Sequence, residues 1–412
     1  YSCGWVCGPL ASIVRQIGID VAGLDAEHFP TNGFTYRVLN LSTRVAINDL
    51  SNHQMMNVRL GCTIPPAEDT MQYLDFAEIC KMNEDLNWFL NRREMCILSD
   101  RFPGIRTTIE EKFPESFHAL CARHVMINGY ANTEAKAGSM DSIFWRYRNF
   151  FPMSREAEEV KLFAAKHHSY AKYIVNQSQD RWQLAHLICT HGASLFGNQT
   201  SNLVEQVHAS DRNSGMRDSH PLDFLMDVID KQHSYITRMK KAIESVPENQ
   251  ILVPFAEEHK KKLLTLVPGY SVKDAGGGDK FYVSYNHRTR GAAERSLKLI
   301  DLHKPWEFHG SCCNAHQFKF PCQHYWAALL SKPKEEQLEI LKSKNDEEMH
   351  EKLFHRAYIM KNVRAALEGV EVCIPCIDDV AHDGATGPPP QALRANLGKR
   401  KLDGRKLSQG EV

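Results

Sequence analysis

Two aspartates each follow a short apolar run: Asp25 after Val-Ala-Gly-Leu (21–24) and Asp100 after Cys-Ile-Leu-Ser (96–99). An acid directly after a buried strand sits at a sheet end, where open α/β sheets build their sites. Carboxylates on neighbouring strands are hard oxygen donors for Mg²⁺ or Mn²⁺. Two such ions ~4 Å apart clamp the attacking and leaving oxygens of a phosphoryl displacement. The same placement also serves a turn residue or a helix N-cap, so the surrounding pattern has to decide. A second donor set is soft. His309, Cys312, Cys313, His316, Cys322 and His324 crowd residues 309–324, and Cys/His density of this kind suits zinc, whose binding supplies folding energy to a short segment. Cys121-x-x-His124 is a local pair only, either a metal half-site or one turn of packing. Cys373-x-x-Cys376 has no partner pair nearby and reads as structural.

The elements that must position these groups alternate between strand and helix from Gly18 to Leu120. Ile19–Leu24, Phe34–Val45 and Met55–Ile64 read as strands, and Ala67–Asn91 as a helix with Tyr73, Phe76, Ile79, Leu86, Phe89 and Leu90 on one side. Met95–Leu98 reads as a short buried strand and the stretch from Ile105 as a helix, which together describe an α/β layer with a mixed sheet. Residues 139–246 read as nearly all helix, and Tyr270–Ile300 returns to strands through Gly276-Gly277-Gly278. The division expected is 1–17 as an N-terminal remnant, 18–138 as the α/β core, and 139–250 as a helical insertion ending in a helix that carries Glu205. There follow 251–300 as a helix plus strands, 301–335 as the Cys/His module, 336–377 as a helical segment, and 378–412 as a Pro/Gly hinge with a basic tail.

In order and spacing, these segments resemble the Mutator-like transposase family. The residues that carry the resemblance are IDVAGLDAEHF (19–29), NEDLNWFLN (83–91), ILSDRFPGI (97–105), His118-x-x-Cys121-x-x-His124-x-x-x-Asn128, Arg181-Trp182, and Gly197-x-x-Thr200-Ser201-Asn202-x-x-Glu205. The resemblance implies an RNase H-like core in which Asp25, Asp100 and Glu205 form a metal-binding acid triad, with Cys121 and His124 as a family marker. Where the family has Gly-Thr after the first acid, this chain has Ala26-Glu27, a further carboxylate beside the site; Asp20 is an alternative first acid. The segment LKLIDL (297–302) with Pro321-Cys322-Gln323-His324-Tyr-Trp-Ala-Ala is similar to a SWIM zinc finger. Its first cysteine falls at Gly310, so Cys312, Cys322 and His324 remain, and His309 or Cys313 supplies the fourth ligand. Adjacent Cys312 and Cys313 diverge in any regular conformation, which favours His309.

Fifty basic residues balance fifty acidic ones, so no global field marks a nucleic-acid binder, and DNA contact is left to local patches. Lys260-Lys261-Lys262, Arg288–Arg295 and the tail with Gly398-Lys-Arg-Lys401 are the candidates, the last also suiting nuclear localisation. No apolar run approaches the ~20 residues of a membrane span. Cysteines such as Cys80, Cys96 and Cys189 stand alone in apolar surroundings, as expected of a reducing compartment. The chain opens at Tyr1, as expected of a piece that lacks an N-terminal portion. The expected activity is metal-dependent cut-and-paste transposition by a homo-oligomer in the nucleus, acting on transposon ends and target DNA. A second reading is a non-catalytic, transposase-derived DNA-binding regulator, and a third an RNase H-like nuclease without transposition.

Overall fold

The computed structural model describes residues 3–30, 35–48, 55–65, 67–151, 153–216, 219–286, 297–307 and 312–371. A mixed six-stranded sheet is built from β1 (Cys3–Val6), β2 (Gly18–Pro30), β3 (Thr35–Asn48), β4 (Met55–Ile64), β5 (Cys96–Ser99) and β6 (Phe117–Leu120), in the order β1-β4-β3-β2-β5-β6. Pairing is antiparallel from β1 through β2 and parallel across β2–β5 and β5–β6. β5 is buried along its whole length, as expected for a parallel strand covered on both faces. A separate antiparallel sheet joins β7 (Tyr270–Asp274), β8 (Lys280–Tyr285) and β9 (Lys298–Asp301). Its β7–β8 turn runs through Gly276, Gly277 and Gly278 at φ of 98°, 120° and 73°, values a side chain rarely tolerates.

One apolar core runs from the helix Gly8–Ile17 through the six-stranded sheet to the small sheet and the helices Gln323–Leu330 and Met360–Leu367. The Gly8–Ile17 helix contributes Leu10, Ile13, Val14 and Ile17, all fully buried. Residues 1–17, expected to be a remnant, thus supply an edge strand and a core helix. The helical region forms its own core around Trp182, which stacks on Phe144 with ring centroids 5.4 Å apart, amid Tyr147, Phe163 and Tyr170. Two expected helices are broken by caps. Asn83 Oδ1 accepts the Leu86 N–H (2.9 Å), dividing Thr70–Met82 from Glu84–Leu90, and His167 does the same between Glu156–Lys166 and His168–Val175. Cys80 and Cys96 are buried thiols as expected, but Cys189 is exposed, on the outer side of Leu184–His191. Among the described residues no helix is long and apolar enough to cross a membrane.

Candidate active site and metal centre

The parallel strands set one row of residues. Leu24 of β2 lies opposite Ser99 of β5, and Ser99 opposite Leu120 of β6. The next residue on each strand is therefore Asp25, Asp100 and Cys121, in neighbouring columns. Asp25 is half-buried within β2, with Asn40 of β3 on its other side. Its Oδ1 accepts the Ala26 N–H (2.9 Å), and Asp100 Oδ1 accepts the Phe102 N–H (2.8 Å), fixing the turn into the helix Pro103–Lys112.

Glu205 arrives from above this row. It lies in the first turn of the helix Asn202–Asn213, which packs on β2 where Gly23 leaves room: a Cβ there would stand 2.6 Å from Val204 Cγ2. Gly23 and Asp25 share a face of β2, so the helix that needs a glycine at 23 carries Glu205 toward Asp25. Glu205 Oε1 accepts from Ser201 Oγ (2.8 Å), and Oε2 faces Arg123 Nη1 at 3.5 Å. Ser201 stands at the N-cap position without capping; its N–H also donates to Cys121 Sγ (3.3 Å).

The electrostatics fit this crowding. Burial pushes Asp25 up to about 7, the charges of Asp100 and Glu205 add to it, and His124 with the Ala26 N–H oppose it. His124 is pushed up to about 9, chiefly by its hydrogen bond with Cys121, against burial, and further by Asp25 and Asp100. Burial raises the Cys121 thiol, but His124 and Ser201 outweigh it and hold the thiol below its ordinary value. Cys121 and His124 thus join the acid cluster as a polar pair at its side. The three carboxylates do not converge as tightly as the soft donors: among the described residues, only Cys312, Cys322 and His324 bring three potential ligand atoms within 4.8 Å of one another.

Asp20, the alternative first acid, is buried elsewhere, where His355 Nε2 (3.0 Å), Arg92 and Arg356 engage it. Burial disfavours its charge, but these three partners outweigh it and hold the carboxyl far below the usual range. Glu27 does not add to the acid site either: Arg212 takes Oε1, and His208 Nδ1 faces Oε2 at 3.5 Å. Sequence reasoning named Ser201 and His118 within the resemblance but gave neither a role; here Ser201 links to Glu205, and His118 Nε2 meets Ser99 Oγ at 2.8 Å behind the row. The stretches 118–128 and 197–205 were the available signal for both.

In the soft centre, Cys322 Sγ and His324 Nδ1 lie 3.7 Å apart at the start of Gln323–Leu330, with Cys312 beside them; all three are buried. Cys322 and His324 hold the Cys312 thiol well below its ordinary value, against burial. Cys313 packs on the helical core near Arg148, apart from the three converging ligand atoms, and burial pushes its thiol up to about 11. His309 lies outside the described residues. His316 is set apart as well, with Nε2 at Gly192 O (3.1 Å).

Of the basic candidates, Lys260 is half-buried against His350 Nε2 (2.8 Å) and the Trp326 ring, and Lys262 pairs with Glu258 (2.7 Å). Arg288–Arg295, Cys373-x-x-Cys376 and the basic tail lie outside the described residues. Neither the models of known protein families nor the curated proteins match this chain.

Proposed function

We propose that this chain is the catalytic and C-terminal portion of a Mutator-like DNA transposase with an RNase H-like core, in which Asp25, Asp100 and Glu205 hold Mg²⁺ or Mn²⁺. The observation that carries this reading is the strand register that sets Asp25 and Asp100 side by side beneath the helix bearing Glu205. The element order behind the resemblance supports it: an acid-bearing strand, two antiparallel strands, helices, then a parallel strand ending at the second acid.

The donor set fits the ion. The three oxygen donors are hard, and burial, with the charges of Asp100 and Glu205 adding to it, raises Asp25 to about 7, a cost that a divalent cation relieves. When bound, the metal supplies charge neutralisation at phosphate and a more acidic water. The chain's own residues do the positioning. Arg123 and Ser201 anchor the Glu205 carboxylate, Ser201 is held by Cys121, and the Phe102 N–H orients Asp100. Cys312, Cys322 and His324, with His309 as the fourth donor, hold structural Zn²⁺ in a SWIM-like finger. The substrates are transposon ends and target DNA, and the working form is a nuclear homo-oligomer.

The test is Mn²⁺-dependent nicking of supercoiled plasmid by the parent beside Asp100→Asn. Nicking lost in the variant supports the reading; equal nicking by both refutes the triad. A second reading, DNA binding without cleavage, is favoured by the engagement of Glu205 with Arg123 and Ser201. It takes the lead if neither protein nicks while both shift DNA in a gel.

A further inference from the structure

At the opposite end of β2 from the acids, a cleft of about 810 Å³ opens between the sheet and the C-terminal helices. Asp20 forms its floor, ~16 Å along the strand from Asp25. Two indoles line it, Trp88 from the sheet side and Trp306 from the C-terminal side. Trp88 is 42% exposed, unusual for so large an apolar ring, and the guanidiniums of Arg92, Arg15 and Arg356 stand 4.9, 5.2 and 5.7 Å from its centroid.

The floor is built. Arg92 uses Nε on Phe89 O and Nη2 on Asp20, and Arg356 uses Nε and Nη2 on Gln16 O, Gly18 O and Asp20. Each keeps an Nη1 with no hydrogen bond among the described residues. Around the lining, Arg92, Arg356 and Lys361 are matched by Asp20, Glu94 and Glu351, with Lys361 held by Glu351 at 3.3 Å. Lys319, beside the lining, tips the balance positive: its ammonium lies 5.8 Å from the Trp306 ring centroid, with Asp20 and Glu94 acting on it through space and no ion-pair partner among the described residues. Asn362 and Glu94, also lining the cleft, bring acceptors to the same space.

Aromatic faces, an edge of mixed donors and acceptors, and nearby cations together describe one chemical unit: a planar base joined to a phosphate. We propose that this cleft binds one nucleotide, its base against Trp88 and Trp306 and its phosphate toward Arg356 and Lys319. The nucleotide is either free or part of an unpaired strand. Binding here requires none of the chemistry at Asp25.

The experiment uses the full chain in EDTA, so that cleavage plays no part, and follows the anisotropy of a labelled ten-nucleotide oligothymidylate. The parent binds; Trp88→Ala weakens binding about tenfold, while Trp88→Phe, which keeps an aromatic face, retains most of it. Lys319→Gln weakens binding and lowers its salt dependence, which loss of stacking alone does not do. Competition by millimolar thymidine monophosphate identifies a free-nucleotide site, and failure to compete while the strand binds identifies an unpaired strand. Absence of binding by the folded parent, or affinity unchanged in both Trp88→Ala and Lys319→Gln, overturns the proposal whatever plasmid nicking shows.

Discussion

Gly23→Ala tests whether the seat of the Glu205 helix sets the acid site. Gly23 lies within β2 at an ordinary backbone conformation, so alanine there meets no φ strain. Without neighbours, replacing a strand glycine gains about 0.5–1 kcal/mol. Here the new Cβ would stand 2.6 Å from Val204 Cγ2 and 3.3 Å from Leu203 Cβ, both buried. Overpacking of this kind costs about 1–3 kcal/mol, so the net expectation is a loss of up to about 2.5 kcal/mol. The helix relieves the contact by moving off β2, which takes Glu205 away from Asp25. Mn²⁺-dependent nicking should therefore fall at least tenfold while the urea midpoint drops only modestly. Val204→Ala opens the space the new methyl needs. Alone it costs about 1–2.5 kcal/mol, but combined with Gly23→Ala it should be more stable than the sum of the single losses by about 1 kcal/mol, with nicking partly restored. Strict additivity in urea unfolding, with no recovery of nicking, would refute the argument that this contact positions the helix.

Asp211 is buried between Arg59 and Lys231, so Asp211→Ala leaves a buried guanidinium uncompensated and should cost about 3–5 kcal/mol in urea unfolding. Asp25, raised to about 7, ionises at a cost that is absent below pH ~4, grows as pH rises, and is complete above pH 7. Asp25→Asn in EDTA should therefore raise the melting temperature at pH 8 more than at pH 5, and Mn²⁺ should stabilise the parent at pH 8 but not the variant. Asp20 has the opposite sign: its depressed carboxyl contributes stability above pH ~4 that is lost as pH falls further, so Asp20→Asn should flatten the acid limb of the stability profile. Purified protein should carry zinc by elemental analysis, and Cys322→Ser should lose that zinc and melt several degrees lower.

β4 was legible to the residue because apolar types recur at every second position, Met56, Val58, Leu60, Cys62 and Ile64, and Pro65 follows. β2 runs past its apolar stretch because Glu27, polar and so discounted, is buried against partners on another helix, the buried His208 and the exposed Arg212. β6, four residues with a buried His118 in its middle, gives too short and too polar a signal to register. Asp25 and Asp100 stood out because each follows an apolar run, but the column that Cys121 completes depends on strand register, which one sequence does not display. The Cys/His centre was visible as local density, whereas the turn of Cys313 toward Arg148 depends on the distant helical core. The Trp88–Asp20–Trp306 cleft gathers residues from 20 to 362, a separation that no motif search spans.

The shared core between the first helix and the last one described bears on how the chain is made. Gly8–Ile17 leaves the ribosome well before the segment from His355 to Leu367 that helps to cover it. Closure must await synthesis of that distant segment, and contacts this far apart in sequence slow folding. Until then the apolar side of the first helix and the edge of β2 near Asp20 stay open to other chains. Aggregation during synthesis, rather than low final stability, is then the hazard to be managed. A chain released before His355 would be caught by chaperones instead of accumulating as a smaller folded core.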